Sequence, residues 1–70
     1  MQPGTDFPYR MLAAVLREQA ADMAPGERLP SVTALCQAYG LSVKTVRKAV
    51  RLLADEGLVR VVPGLGTFRL

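Results

Sequence analysis

Between Gly40 and Leu53 the chain has two faces that make opposite demands, and no other stretch restricts the fold as much. Val46, Ala49, Val50 and Leu53 recur at helical spacing, so that side must pack on the rest of the domain. The other side carries Lys44, Thr45, Arg47, Lys48 and Arg51, with no acid before Asp55. Lys44, Arg47 and Lys48 lack partners of opposite sign one turn away, Asp55 standing at that spacing from Arg51 alone, and repulsion among the cations costs helix stability. Such a face suits an anionic partner, most commonly a phosphate backbone. The plainer reading, a solvated helix surface with no partner, fits these residues alone equally well.

Context tips the balance. Gly40 is suited to close a preceding helix in the left-handed conformation, and Ser42 to cap the next one. Two short helices joined by so brief a turn, the second one basic, form a helix-turn-helix pattern. The recognition helix is expected over residues 43–56.

Seventy residues make one small domain, near the size at which a single core just suffices without disulfide or metal. The formal charge is only +3, but it is unevenly placed. Arg10, Arg17 and Arg28 are outnumbered by Asp6, Glu18, Asp22 and Glu27 in residues 1–30. Beyond that, Lys44, Arg47, Lys48, Arg51, Arg60 and Arg69 face only Asp55 and Glu56. Charge gathered in the C-terminal portion points to a nucleic-acid contact there. Cys36, the single cysteine, excludes an intramolecular disulfide and fits a reducing, cytoplasmic setting. No apolar run is long enough for a membrane span.

In chain order, residues 1–7 contain Pro3 and Gly4 and predict a loose arm, with Asp6 as a cap. Pro8 suits a first helical turn, and Tyr9, Leu12, Val15, Leu16, Ala20 and Met23 continue a helical stripe to about Asp22. Arg17 reads as solvated or paired with Glu18. Ala24-Pro25-Gly26-Glu27 predicts a type II turn, Arg28-Leu29-Pro30 an extended segment, and Ser31 the cap of a helix to Tyr39. Val32, Leu35, Cys36 and Tyr39 form its apolar side. Asp55 and Glu56 at the end of the basic helix oppose the helix dipole, which implies a further reason for their presence. Residues 58–70 read as a hairpin, with Pro63, Gly64 and Gly66 in its turn. The fold class is mostly α with a small β-hairpin, a three-helix winged helix-turn-helix.

Enzyme chemistry is not indicated. The chain has no histidine, Cys36 has no neighbouring base, and the acids form no convergent pair. Gly64-Leu65-Gly66 lacks the helix and lysine of a nucleotide loop. No cofactor or metal is implied.

Several pieces together resemble the DNA-binding domain of GntR-type bacterial transcription regulators, over residues 8–68. They are Tyr9-Arg10, Leu16-Arg17, Pro25-Gly26, Arg28-Leu29-Pro30-Ser31, Tyr39-Gly40-Leu41-Ser42, Thr45-Val46-Arg47, Ala49, Leu53, Glu56-Gly57-Leu58-Val59 and Gly64-Leu65-Gly66-Thr67-Phe68. The resemblance implies that the basic helix enters the major groove of a double-stranded operator and that the wing approaches the minor groove. Thr45, Arg47 and Gly66 match DNA-contact positions, and Ser31 and Ser42 match helix N-termini that bind phosphate. Thr33 and Val43 stand where relatives commonly carry arginine, and Val43 is expected to meet a thymine methyl. With Lys44, Lys48, Arg51, Arg60 and Gly64, these residues make up the expected DNA-binding set.

Val61, Val62 and Leu65 replace residues often basic or polar in relatives, which implies weaker binding. The competing reading is a winged helix used for protein contacts through Val61, Val62, Leu65 and Leu70. Relatives continue past the wing with an effector-sensing, dimerising domain. A homodimer and a small-molecule effector are therefore expected only through that domain, and a chain ending at Leu70 is expected to be monomeric and of low affinity.

Overall fold

The structure is a computed structural model describing the backbone of residues 6–70 and the side chains of residues 8–70. Its elements are α1 (Asp6–Ala21), α2 (Val32–Tyr39), α3 (Val43–Asp55), β1 (Val59–Val62) and β2 (Gly66–Arg69). This is the helix, helix, helix, hairpin order of a winged helix-turn-helix. The last two residues of the expected arm, Asp6 and Phe7, belong to α1. Residues 1–5 and the cap expected of the Asp6 side chain lie outside the described residues.

α3 is central: it packs against α1, α2 and β1. Its inward stripe of Val46, Ala49, Val50 and Leu53 is buried, as the spacing requires. Around it lie Leu12, Ala13 and Leu16 of α1, Leu29 of the α1–α2 connection, Leu35 of α2 and Val59 of β1. Leu16, Val46 and Leu53 are wholly excluded from solvent. Each such side chain contributes about 1.5–3 kcal/mol relative to exposure, which a domain of this size can ill spare.

The stripe on α1 differs from expectation at one position. Val15 is 38% exposed, whereas Ala13 is buried. The inward line thus runs through Tyr9, Leu12, Ala13, Leu16 and Ala20, turned by part of a helical step. Tyr39, expected on the apolar side of α2, is 43% exposed and borders an open groove with Pro8, Met11, Leu12 and Val15 of α1.

Local chemistry sets the element ends. Ser31 caps α2, its hydroxyl accepting from the Ala34 N–H at 3.0 Å. Gly40 ends α2 at φ 66°, a left-handed conformation costly for residues with a Cβ, and its N–H donates to the Cys36 carbonyl. The turn 24–27 closes with the Glu27 N–H donating to the Ala24 carbonyl at 3.0 Å, Gly26 having φ 91°. This matches the expected type II geometry.

β1 and β2 pair antiparallel, with Val59 opposite Arg69 and Val62 opposite Gly66. The wing turn closes through the Leu65 N–H and the Val62 carbonyl at 3.0 Å. The extended residues between α1 and α2 add a third, short edge to this hairpin. Arg28 bridges Phe68, the Leu29 N–H donates to the Thr67 carbonyl, and the Arg69 N–H donates to the Glu27 carbonyl. The wing is thus joined by backbone to the start of the helix-turn-helix.

Candidate nucleic-acid interface

The N-terminus of α3 is fixed by Ser42, which is extended at φ −74° and ψ 158°. Its Oγ accepts from the Thr45 N–H at 3.2 Å and donates to the Thr45 Oγ1 at 3.0 Å. One cap therefore holds both the first turn and the Thr45 side chain, whose own O–H is left to donate outward. With the inward stripe buried, Val43, Lys44, Arg47, Lys48 and Arg51 are exposed together.

These side chains form one wall of an open cleft. The other walls are the start of α2, with Ser31 and Val32, and the wing, with Val61, Val62, Pro63, Gly64 and Gly66. Eight of the expected DNA-binding residues share this cleft: Ser31, Val43, Lys44, Arg47, Lys48, Arg51, Gly64 and Gly66. Thr33, Ser42, Thr45 and Arg60 lie outside it. Thr33 is on the exposed side of α2, and Ser42 and Thr45 stand at the tip of α3. Arg60 alternates with the buried Val59, so it is exposed on the outer face of the hairpin. Asp55 lines the far end of the cleft and brings a negative charge to it.

Among the described residues, Lys44, Arg47, Arg51 and Arg60 have no ion-pair partner. Lys48 differs. Its Nζ lies 4.5 Å from the centre of the Tyr9 ring, near enough for cation–π attraction, and Arg10 Cζ is 5.7 Å from the same ring. Tyr9 thus holds Lys48 at the α1 border of the basic face. Arg69 is engaged elsewhere: its Nε donates to the Ala20 carbonyl at the end of α1.

The acid whose place at the end of α3 runs against the helix dipole has a partner. Glu56 caps α3 and forms an ion pair with Arg17 of α1 at 2.8 Å. The hydrogen bonding from Arg17 holds the Glu56 carboxyl below its ordinary value, and the same bonding raises the guanidinium. Arg17, expected to be solvated or paired with Glu18, is paired with Glu56 instead. The signal in the sequence was the unfavourable acid itself.

The four apolar residues named for protein contacts are spread over the wing. Val61 and Val62 are neighbours in β1 and point to opposite faces, Leu65 is in the turn, and Leu70 lies past the end of β2, its N–H bonded to the Leu58 carbonyl. Gly66 has a neighbour that sequence reasoning missed: Arg28 lies against it. No local pattern marks this approach, which depends on the third edge of the wing.

A helix-turn-helix whose second member bares a basic face beside a hairpin defines a winged helix-turn-helix domain. Residues 8–68 match the bacterial regulatory proteins of the gntR family, and the chain belongs to that family. It is 39% identical over 62 residues to the mannosyl-D-glycerate transport/metabolism system repressor MngR of Escherichia coli (strain K12), covering 86% of this chain and 26% of that protein. It is 43% identical over 44 residues to the histidine utilization repressor of Klebsiella aerogenes, covering 63% of this chain and 18% of that one. The chain thus spans about a quarter or less of the length of these relatives. The structure is similar to that of the AraR DNA-binding domain in complex with operator ORX1, with a TM-score of 0.85 and 28% identity over 100% of this chain and 90% of that chain. No helix among the described residues is long and apolar enough to cross a membrane.

Proposed function

We propose that this chain reads a double-stranded operator as the DNA-binding domain of a bacterial transcription repressor, α3 lying in the major groove and the wing beside the neighbouring minor groove. The observation that carries the reading is the cleft, in which Lys44, Arg47 and Arg51 project toward one opening without anionic partners among the described residues. Repulsion among them is relieved when phosphates enter. The repressor names of the curated relatives and the operator-bound AraR domain support the same reading.

The roles divide by chemistry. Arg47, mid-face on α3, offers a bidentate fork to a guanine edge, and Val43 an apolar contact to a thymine methyl. Lys44, Lys48 and Arg51 meet phosphate. Ser31 and Ser42 stand at helix starts where free N–H groups donate to an anion. In the longer protein a further domain pairs two copies on a two-fold operator and holds the effector, and the setting is the cytoplasm. The domain itself catalyses nothing.

The test is titration of the labelled chain with duplex DNA, followed by amide chemical shifts at several salt concentrations. Shifts at the start of α3, at residues 31–33 and at the wing turn are expected, with affinity falling as salt rises. Shifts confined to the exposed α1 face around Met11 and Val15, or salt-independent binding, would defeat the reading.

A further inference from the structure

We infer that Arg28, from the connection between α1 and α2, is a phosphate-contacting cation of the wing, an inference that rests on the DNA reading above. A Cβ on Gly66 would lie 2.8 Å from Arg28 Nε and 3.4 Å from its Cζ, whereas at Gly26, Gly40, Gly57 and Gly64 it would meet nothing within 4 Å. The missing side chain at Gly66 therefore makes room for a guanidinium. The placement is built in by backbone pairing: Arg28 bridges Phe68, and the flanking Leu29 and Glu27 bond to Thr67 and Arg69. Arg28 and Gly66, two residues from Phe68, thus fall on the same face of the sheet, their side-chain positions adjacent.

The guanidinium is exposed and has no hydrogen bond or ion pair with another described residue. Its neighbour Gly66 lines the cleft, and Arg28 itself does not, so the charge stands just outside the cleft, beside the wing. On that face the wing strands supply one charge of their own, Arg60, which is exposed and stands opposite Phe68 on the side away from Arg28. Arg69 is bonded to the Ala20 carbonyl at the opposite end of the hairpin, and Val61 and Leu65 are apolar and exposed. A planar fork laid beside a glycine is well shaped for a phosphate oxygen pair.

The experiment measures binding of a mixed-sequence duplex across a salt series for the unaltered chain, Arg28→Gln and Arg28→Lys, with thermal melts of each. The glutamine variant is expected to lower the slope of log affinity against log salt by about one unit, and the lysine variant to keep most of it. An unchanged slope in Arg28→Gln overturns the inference. So does a loss of affinity equal at all salt concentrations, which marks a residue that only steadies the wing. Failure of the unaltered chain to bind duplex DNA removes the DNA reading itself, and this inference with it.

Discussion

Arg17 and Glu56, 39 positions apart, form a two-pronged pair in which Nε donates to Oε1 at 2.9 Å and Nη2 donates to Oε2 at 2.8 Å. The pair ties the middle of α1 to the cap of α3, so the basic helix is held at its C-terminal end as well as along its buried stripe. Because Arg17 lowers the Glu56 pKa in the folded state, the ionised pair favours folding above the ordinary glutamate pKa. That contribution is lost as pH falls through the lower, folded-state value. The melting temperature should therefore fall more steeply with acid in the unaltered chain than in Glu56→Gln. The difference should be small, since the side chains are 42% and 35% exposed. Parallel pH profiles in the two proteins would remove the pair from the account of stability.

Ser42 serves both structure and the proposed contact, and two substitutions separate these roles. Ser42→Ala removes the acceptor of the Thr45 N–H and should lower stability by about 0.5–2 kcal/mol in urea unfolding. Ser42→Asp keeps an acceptor there, so stability should be close to that of the unaltered chain. Its negative charge, however, would face the phosphate expected at the start of α3, and DNA binding should weaken. Normal binding by the aspartate variant would place the phosphate elsewhere.

Arg47 and Lys48 are adjacent in sequence but differently held. Arg47→Ala should relax preference at one base pair, losing about 1–3 kcal/mol of discrimination in a comparison of operator variants. Lys48→Ala should weaken all duplexes alike and also lower the melting temperature, because the ammonium lies on the Tyr9 ring. An exposed cation–π contact is worth about 0.5–1 kcal/mol. Tyr9→Leu should reproduce the thermal loss while retaining the charge. If Lys48→Ala alters base preference and leaves the melt unchanged, the two roles have been assigned in reverse.

The parts of this structure legible in the sequence are those decided within a few residues. Spacing alone buries Val46, Ala49, Val50 and Leu53, and single side chains or glycines set the caps at Ser31 and Ser42 and the end at Gly40. What stayed hidden depends on elements far apart in the chain. The partner of Glu56, the ring beneath Lys48 and the strand edge that brings Arg28 to Gly66 arise only once α1 and the α1–α2 connection have packed on α3 and the wing. Burial on α1 was misjudged for a related reason. Val15 and Ala13 both fit an apolar stripe, and the choice between them is made by how α1 sits on its neighbours.

Asp55 opposes the rest of the cleft. It is exposed on the last turn of α3 and lines the same cleft as Arg47 and Arg51. Unlike Glu56, it has no ion-pair partner among the described residues. Its charge repels an approaching phosphate backbone and marks where the basic face ends. Asp55→Asn removes that charge with little change of shape, so affinity for any duplex should rise severalfold at low salt. The gain should shrink as salt screens the interaction, because exposed charges are screened over a Debye length of about 8–10 Å at moderate ionic strength. Stability should rise slightly too, since an acid at a helix C-terminus opposes the dipole. Binding isotherms of both proteins at low and moderate salt check this, and an asparagine variant that binds no better would mean that the duplex does not reach the C-terminal end of the cleft.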